Sequence, residues 1–328
     1  MRGTPTHHDG GLPDLRLFSR VLLAGLTVAL VAGSLVRPRP RPRARTQAPA
    51  LHADHVAAGD GTRLPLARWQ PAAAPEATVI GLHSYGDYHA AFARLGPWLA
   101  ERGIALLAYD QRGFGATGAR GKWPGALNLI QDLADVVEAV RAELPGVPLA
   151  VLGESMGGSV ALAGLGSGNV REVDRLILAA PGVRRGDAPL QQLHDLALRL
   201  GALALPWLAV ELRRGSRPWL APEEAERLAE DPLILRELSV GTYEGLIELA
   251  SLASDQPEVE LPPTLVLYGE LDGTITRAAI DELVERLGER GMLRLYPERH
   301  HLLLHEQAAE QLFADCTNWL RGPRASRS

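Results

Sequence analysis

Short apolar runs alternate with amphipathic stretches through most of the chain. The predominantly apolar runs are ATVIGLHS (Ala77–Ser84), IALLAYDQ (Ile104–Gln111), PLAVLGES (Pro148–Ser155), RLILAAPG (Arg175–Gly182) and TLVLYGELD (Thr264–Asp272). Strands that are buried on both faces of a parallel sheet have this continuous apolar pattern. Between the runs, apolar residues recur every three or four positions, as in Leu127–Leu144, which predicts amphipathic helices. The alternation predicts an α/β fold with a mostly parallel central sheet and helices on both faces.

Two regions depart from this rhythm. Near the start, HVAAGDGTRLPLARWQP carries Asp60-Gly61 between two alternating runs, which predicts an antiparallel hairpin ahead of the parallel strands. Residues 184–260 have a helical pattern that is rich in leucine and interrupted by prolines. We expect this insertion to form a helical cap over the edge where the strands end. The core then consists of residues 51–183 and 261–328.

The first fifty residues differ in composition from the rest of the chain. Leu17–Val36 is apolar and would reach about 30 Å as a helix, roughly the thickness of a hydrocarbon core. A linker with the sequence RPRPRPRART follows, which its prolines keep extended. Two interpretations stay open: an export signal cleaved near Ala32-Gly33-Ser34, and a retained membrane anchor. The arginines after the apolar run favour an anchor with the following domain in the cytoplasm, and an exported location is the alternative.

Charge and cysteine content exclude several classes of function. Residues 1–50 carry eight arginines against two aspartates, whereas the remainder carries 26 basic and 37 acidic residues. An acidic body argues against nucleic acid as a partner. Cys316 is the only cysteine, so an intrachain disulfide and a thiolate-rich zinc site are both excluded. His300, His301 and His305 lack the His-Glu-x-x-His spacing, and we expect neither a metal nor another cofactor.

The third parallel-type run ends in VLGESMGGSV, a stretch rich in glycine and serine. A phosphate-binding loop would need a lysine after its last glycine, and the only lysine, Lys122, lies elsewhere. A dinucleotide fingerprint has a different spacing and follows the first parallel strand. Gly-x-Ser-x-Gly between a strand and a helix is instead typical of a nucleophile elbow, which holds Ser155 in a strained conformation at the end of the strand. The backbone N–H of Met156 and the following helix N-terminus would favour a developing oxyanion.

A serine nucleophile needs a base and an orienting acid, and both occur downstream in the order that α/β hydrolases use. Asp272 ends the run TLVLYGELD, and ERHHLLLHE follows after one predicted helix and one predicted strand. Glu270 competes with Asp272 for the acid role, and we favour Asp272 because it falls at the end of the strand and before the turn. We expect Asp110 to brace the turn at Arg112 and His83 to stabilise its own loop.

These motifs resemble the monoacylglycerol lipase and lysophospholipase group of α/β-hydrolase serine hydrolases over roughly residues 55–320. The matching segments are the elbow Gly153–Gly158 (Gly-x-Ser-Met-Gly-Gly), the turn Tyr109–Gly118 (Asp-x-Arg-Gly-x-Gly-x-Ser/Thr), the cap motif Asp231–Leu233, the acid turn GELDGTIT and the ending His301–Glu306. That ending aligns with the group's His-x-Leu-Leu-x-Glu, so the resemblance implies His301 rather than His300 as the base.

The resemblance implies a serine hydrolase that cleaves carboxylic esters of lipid-derived substrates, of the monoacylglycerol or lysophospholipid type, through Ser155, His301 and Asp272. It also implies the backbone N–H of Tyr85 as a second oxyanion donor. Ser84 stands where the group has a glycine, and a positive φ there would strain the turn. A small-ester esterase, a thioesterase, an acyltransferase and a non-catalytic binding protein on the same fold remain alternatives. Epoxide hydrolases and dehalogenases are disfavoured, because they have Asp where Ser155 stands.

Overall fold

The computed structural model describes residues 42–185, 189–212, 217–255 and 261–322, and for residues 189–193 the backbone alone. Within these ranges the strands are β1 (Ala50–Leu51), β2 (His55–Ala57), β3 (Arg63–Trp69), β4 (Ala77–Leu82), β5 (Ile104–Tyr109), β6 (Leu149–Glu154), β7 (Arg175–Ala179), β8 (Ala209–Glu211), β9 (Glu237–Ser239), β10 (Thr264–Gly269) and β11 (Gly291–Tyr296). The α-helices are α1 (Leu95–Ala100), α2 (Ala126–Glu143), α3 (Met156–Gly166), α4 (Pro189–Ala204), α5 (Pro222–Glu230), α6 (Val240–Ser254), α7 (Arg277–Leu287) and α8 (Glu310–Arg321).

Most strands join one sheet in the order β1-β2-β3-β5-β4-β6-β7-β10-β11. β2 and β3 run antiparallel, with Val56 opposite Leu64, as the Asp60-Gly61 turn predicts. β3 is also antiparallel to β5, and from β5 to β11 every neighbouring pair is parallel. The predicted hairpin and the predicted α/β fold are confirmed.

The sheet is covered on both faces, which explains the continuous apolar runs. All residues of β4, β5, β6 and β10 are buried. Successive residues of β4 contribute to opposite layers, because side chains alternate along a strand. Val79 packs with the α1 and α8 side, whereas Ile80 packs with the side that α2, α3 and α7 cover. The carboxyl ends of the parallel strands therefore all reach one edge of a rigid platform.

The insertion between β7 and β10 contains α4, α5 and α6, in agreement with the helical pattern of its sequence. It also contains a short antiparallel ribbon that the helical pattern did not predict, in which Val210 of β8 lies opposite Leu238 of β9. A strand of three residues leaves too little periodicity to recognise, and its partner comes more than twenty positions later. The ribbon is thus set by a tertiary contact rather than by local sequence.

The last residues of the predicted linker lie against the core. Arg45 pairs with the buried carboxylate of Asp135 on α2 at 2.5 Å, and the backbone N–H of Thr46 donates to the carbonyl of Gly59. A buried carboxylate needs such a partner, because an unpaired charge is costly in the interior. The apolar segment Leu17–Val36, our predicted anchor, lies outside the described residues. Among the helices that are described, none combines the length and the apolar character needed to cross a bilayer.

Candidate active site

Ser155 occupies a sharp turn between β6 and α3. Its backbone has φ 51° and ψ −112°, a conformation that residues with a side chain rarely adopt. Two close approaches require glycine around it. A Cβ at Gly157 would lie 2.2 Å from the carbonyl oxygen of Leu82 in β4, and a Cβ at Gly153 would lie 2.5 Å from the backbone of Gly157. The predicted strained turn is confirmed, and it holds the hydroxyl of Ser155 at the carboxyl edge of the sheet.

The imidazole of His301 bridges Ser155 and Asp272. Its Nε2 lies 2.9 Å from Oγ of Ser155, and its Nδ1 lies 2.8 Å from Oδ2 of Asp272. The second carboxylate oxygen of Asp272 accepts the backbone N–H groups of Thr274 and Ile275 at 2.7 and 3.0 Å. These bonds fix the buried carboxylate, which in turn orients the imidazole. The three side chains that the sequence singled out are therefore in mutual hydrogen-bond reach.

The competing residues lie apart from this arrangement. Glu270 is exposed and pairs loosely with Arg277 at 3.6 Å. The ring of His300 stacks on Trp219, with centroids 4.3 Å apart and an interplanar angle of 8°. Asp110 accepts the backbone and ring N–H groups of His89 and the backbone N–H of Ala116. Asp110 therefore braces the following turn at Ala116 and binds His89, whereas Arg112 pairs with Asp60 and Asp132.

The loop after β4 carries the predicted second oxyanion donor. Its positive φ falls at Gly86, at 76°, and Ser84 is absent from the described residues that have a positive φ. The replacement of glycine by Ser84 therefore costs the turn no strain of this kind. His83 accepts the backbone N–H of Gln111 at Nε2, and its Nδ1 lies 2.8 Å from the carbonyl of Ser84. Burial lowers the pKa of His83, which keeps this loop-stabilising imidazole neutral.

The cap contacts that same loop directly. The hydroxyl of Tyr85 donates to the carbonyl of Glu237 at 2.8 Å, and the N–H of Leu235 donates to the carbonyl of Gly86 at 2.8 Å. The hydroxyl of Tyr88 donates to the carboxylate of Asp231, the first residue of the cap motif. The segment that carries the predicted oxyanion donor is thus held from both the core and the cap.

A buried charged cluster beside Ser155 escaped the sequence analysis. Its members are Asp87, Glu154, Glu224, Arg227 and His305. Burial lowers the pKa of His305, but the charges of Glu154 and Glu224 and their hydrogen bonds outweigh it and raise the pKa to about 10. His305 is therefore an imidazolium at neutral pH. One signal was available in the sequence: Glu154 is the only charged residue in an otherwise apolar, fully buried strand.

Comparison with known proteins gives one family and several relatives. The family model described as "Serine aminopeptidase, S33" matches residues 73–308. The monoacylglycerol lipase of Mycolicibacterium smegmatis is 27% identical over 272 residues, which cover 82% of this chain and 96% of that protein. The human monoglyceride lipase is 24% identical over 271 residues, which cover 81% of this chain and 89% of the human protein.

Solved structures agree on the fold. A monoacylglycerol lipase from Paleococcus ferrophilus superposes with a TM-score of 0.66 at 17% identity, over 78% of this chain and 98% of that one. A soluble variant of the monoglyceride lipase from Saccharomyces cerevisiae, in complex with a substrate analogue, superposes with a TM-score of 0.68 at 19% identity. That match covers 87% of this chain and 98% of the yeast chain.

Proposed function

The chain is an ester hydrolase that belongs to the serine aminopeptidase S33 family, and from this premise we propose that it hydrolyses single-chain lipid esters through Ser155, His301 and Asp272. The observation that supports the proposal best is the bridging position of His301. Its two ring nitrogens lie within 3 Å of the hydroxyl of Ser155 and the carboxylate of Asp272. Serine hydrolases on unrelated folds share this arrangement of nucleophile, base and acid.

In the proposed reaction, Nε2 of His301 takes the proton of Ser155 as the serine oxygen attacks the ester carbonyl. Asp272 keeps the imidazole in the tautomer with a proton on Nδ1 and stabilises the imidazolium that forms. The tetrahedral intermediate collapses when His301 gives its proton to the leaving alcohol, which leaves Ser155 acylated. Water then attacks the acyl-enzyme as His301 takes its proton, and the fatty acid is released when His301 returns that proton to Oγ of Ser155.

We assign the oxyanion hole to the backbone N–H groups of Met156 and Tyr85. Met156 is the first residue of α3, so its N–H belongs to the positive end of the helix. The unstrained turn at Ser84 and the contacts of the Tyr85 side chain with the cap support a fixed position for the second amide. Each such donor typically contributes about 3–4 kcal/mol to transition-state stabilisation.

Two features support a lipid substrate. Several relatives of this chain carry the names of monoacylglycerol lipases. In addition, the cap exposes large apolar side chains: Leu196 and Leu203, seven positions apart on one face of α4, and Trp207 just beyond that helix, which is 72% exposed. Exposed apolar surface of this kind favours contact with a lipid aggregate. We further propose that the apolar segment Leu17–Val36 holds the enzyme at a membrane, where such substrates reside.

A fluorophosphonate probe tests the nucleophile directly. We expect wild type to be labelled and Ser155→Ala to remain unlabelled. Ser159→Ala is the matched control, because Ser159 directly follows the elbow and its hydroxyl donates to backbone carbonyls, at 2.6 Å to that of Gly182 and at 3.4 Å to that of Ser155. Labelling of folded Ser155→Ala, or no labelling of folded wild type, would contradict the proposed nucleophile. The second result would favour a non-catalytic binding protein.

A substrate panel tests the lipid part of the proposal. Hydrolysis is compared for p-nitrophenyl esters from acetate to palmitate, 1-monooleoylglycerol, a lysophosphatidylcholine and an acyl thioester. We expect the monoacylglycerol and the long-chain esters to give the highest kcat/KM. A preference for acetate would identify a small-ester esterase, and a preference for the thioester a thioesterase. Glycerol added as an acceptor would reveal an acyltransferase through a new acylglycerol product.

A further inference from the structure

The buried charged cluster joins parts of the chain that are far apart in sequence. Asp87 lies in the loop after β4, and Glu154 ends β6 next to Ser155. His305 lies four residues after His301, and Glu224 and Arg227 lie on the cap helix α5. The side chains of Asp87, Glu154 and His305 are fully buried, and that of Glu224 is 4% exposed. One cluster therefore connects the cap with the three segments that flank the proposed catalytic groups.

His305 is the central contact of this cluster. Its Nδ1 lies 2.7 Å from Glu224 on the cap, and its Nε2 lies 3.1 Å from Glu154 beside the proposed nucleophile. The other carboxylate oxygen of Glu154 accepts the backbone N–H of Leu304 at 3.1 Å. Glu154 thus ties the turn of Ser155 to the segment that carries His301 and His305.

Arg227 extends the cluster to the loop of the predicted oxyanion donor. Its guanidinium donates to both carboxylate oxygens of Asp87, at 2.6 and 2.9 Å, and to Glu224 at 2.8 Å. Asp87 belongs to the same turn as Tyr85, since its N–H donates to the carbonyl of Ser84. Three carboxylates and two cations therefore share one buried volume, and each cation contacts at least two of the carboxylates.

We propose that this cluster couples cap helix α5 to the three segments of the active site, and that Glu224 and Arg227 are positioning residues for the reaction. The inference rests on the proposed function of Ser155 and His301. Buried charges tolerate the loss of a partner poorly, because the remaining charge must find another partner or move toward water. Without the Glu224 carboxylate, His305 keeps Glu154 as its hydrogen-bonded carboxylate, and α5 loses its own carboxylate contact with His305, which adjoins the segment of His301. On this basis α5 stays docked during turnover.

The matched comparison uses Glu224→Gln and Asp195→Asn. Each substitution removes one carboxylate charge from a cap helix, with nearly the same shape retained. Asp195 on α4 pairs with Arg184, in the loop after β7, at 2.8 Å, and it has no contact with the three active-site segments among the hydrogen bonds described. For p-nitrophenyl butyrate we expect kcat to fall ten- to a hundredfold in Glu224→Gln, with KM changed less than threefold. We expect kcat of Asp195→Asn to stay within threefold of wild type.

A second variant keeps the test decisive if Glu224→Gln does not fold. Arg227→Lys retains the positive charge but loses the double contact with Asp87, and we expect the same selective loss of kcat. Hydrogen exchange measured by mass spectrometry adds a readout that needs no activity. Peptides that cover residues 83–88 and 299–306 are expected to exchange faster in Glu224→Gln than in wild type, and at the wild-type rate in Asp195→Asn.

Different results separate the two proposals. A wild-type protein that neither reacts with the fluorophosphonate probe nor hydrolyses any ester contradicts the proposed function. The exchange rates of residues 83–88 and 299–306 still decide whether α5 is coupled to these two segments. The coupling is overturned if Glu224→Gln and Arg227→Lys fold, keep kcat within threefold of wild type and show wild-type rates of amide hydrogen exchange. Equal losses of kcat in Asp195→Asn also overturn it, because the effect would then follow the stability of the whole cap.

Discussion

Nε2 of His301 lies 2.9 Å from Oγ of Ser155, although 146 positions separate the two residues in the chain. They meet because β6 ends at Glu154 and the segment after β11 returns to the same edge of the sheet. Parallel strands bring their carboxyl ends to a common edge, so loops from distant parts of the sequence become neighbours. This relationship defines which histidine is expected to act as the base.

His301→Ala should abolish most of the activity, whereas His300→Ala should not. Removal of a general base and its pairing with the nucleophile typically lowers kcat by at least about 10³-fold. His300 stacks on Trp219, and its Nδ1 lies 3.5 Å from Glu306, so its replacement removes packing and a weak ionic contact but no described contact with Ser155. The measurement is kcat for p-nitrophenyl butyrate. Comparable losses of kcat in both variants would contradict the assignment of His301 as the base.

Asp272→Asn should lower kcat by about 10⁴-fold, because an amide at this position favours the wrong imidazole tautomer. Glu270→Gln is the matched control, since Glu270 is exposed and its only described ion pair is a loose contact with Arg277. We expect Glu270→Gln to retain kcat within threefold of wild type. A larger loss for Glu270→Gln than for Asp272→Asn would transfer the acid role to Glu270.

The stability of the protein should fall as the pH rises from 7 to 8.5. The pKa of His305 is raised to about 10 in the folded state, above its ordinary value near 6.5. The stabilisation by this imidazolium is complete below about pH 6.5, and it is lost as the pH rises toward 10, because the folded state then binds more protons than the unfolded state. The slope reaches up to about 1.4 kcal/mol per pH unit.

Urea denaturation at a series of pH values measures this slope. His305→Gln is the control, because the variant has no proton to lose at this position. We expect its free energy of unfolding to be lower at pH 7 and nearly independent of pH between 7 and 8.5. A wild-type profile that is equally flat would show that His305 is neutral in the folded protein.

Gly245→Ala should loosen the cap. Gly245 lies on α6, and a Cβ there would come within 2.1 Å of the indole nitrogen of Trp123, a core residue just before α2. Alanine normally stabilises a helix relative to glycine, but here overpacking is expected to cost about 1–3 kcal/mol. Thermal unfolding measures the effect. Gly118→Ala is the control, because nothing lies within 4 Å of an added Cβ at Gly118.

Two truncations should differ in stability. Removal of residues 1–41 leaves Arg45 in contact with Asp135, whereas removal of residues 1–50 also deletes Arg45 and half of β1. We expect the longer deletion to lower the free energy of unfolding by about 1–3 kcal/mol, since buried Asp135 loses its cationic partner. Hydrolysis of a soluble short ester should survive the shorter deletion. Arg45→Met in the shorter chain isolates the contribution of the ion pair.

Local sequence predicted the architecture, the proposed nucleophile and the proposed acid, whereas the family resemblance selected His301 as the proposed base. The apolar runs predicted the buried strands, because a strand that is covered on both faces has no solvent-facing positions and is therefore apolar along most of its length. The glycines around Ser155 predicted the elbow, because the close approach at Gly157 admits no side chain. Asp272 was preferred to Glu270 as the residue at the end of a strand, but β10 ends at Gly269, and Asp272 lies three residues beyond, in the turn that its carboxylate closes.

Only the tertiary structure decided how distant segments support this site. Three features depend on partners that are distant in sequence and produce no local pattern. They are the β8–β9 ribbon, the pairing of Arg45 with Asp135 and the contact between Tyr85 and Glu237. The charged cluster is the strongest case. From the sequence alone, Glu154 and Glu224 would be taken as solvated residues and His305 as a possible metal ligand. They become mutual partners only when the fold buries them together. A periodic pattern reports which side of an element is buried, whereas the partners of a buried charge are selected by the assembled fold.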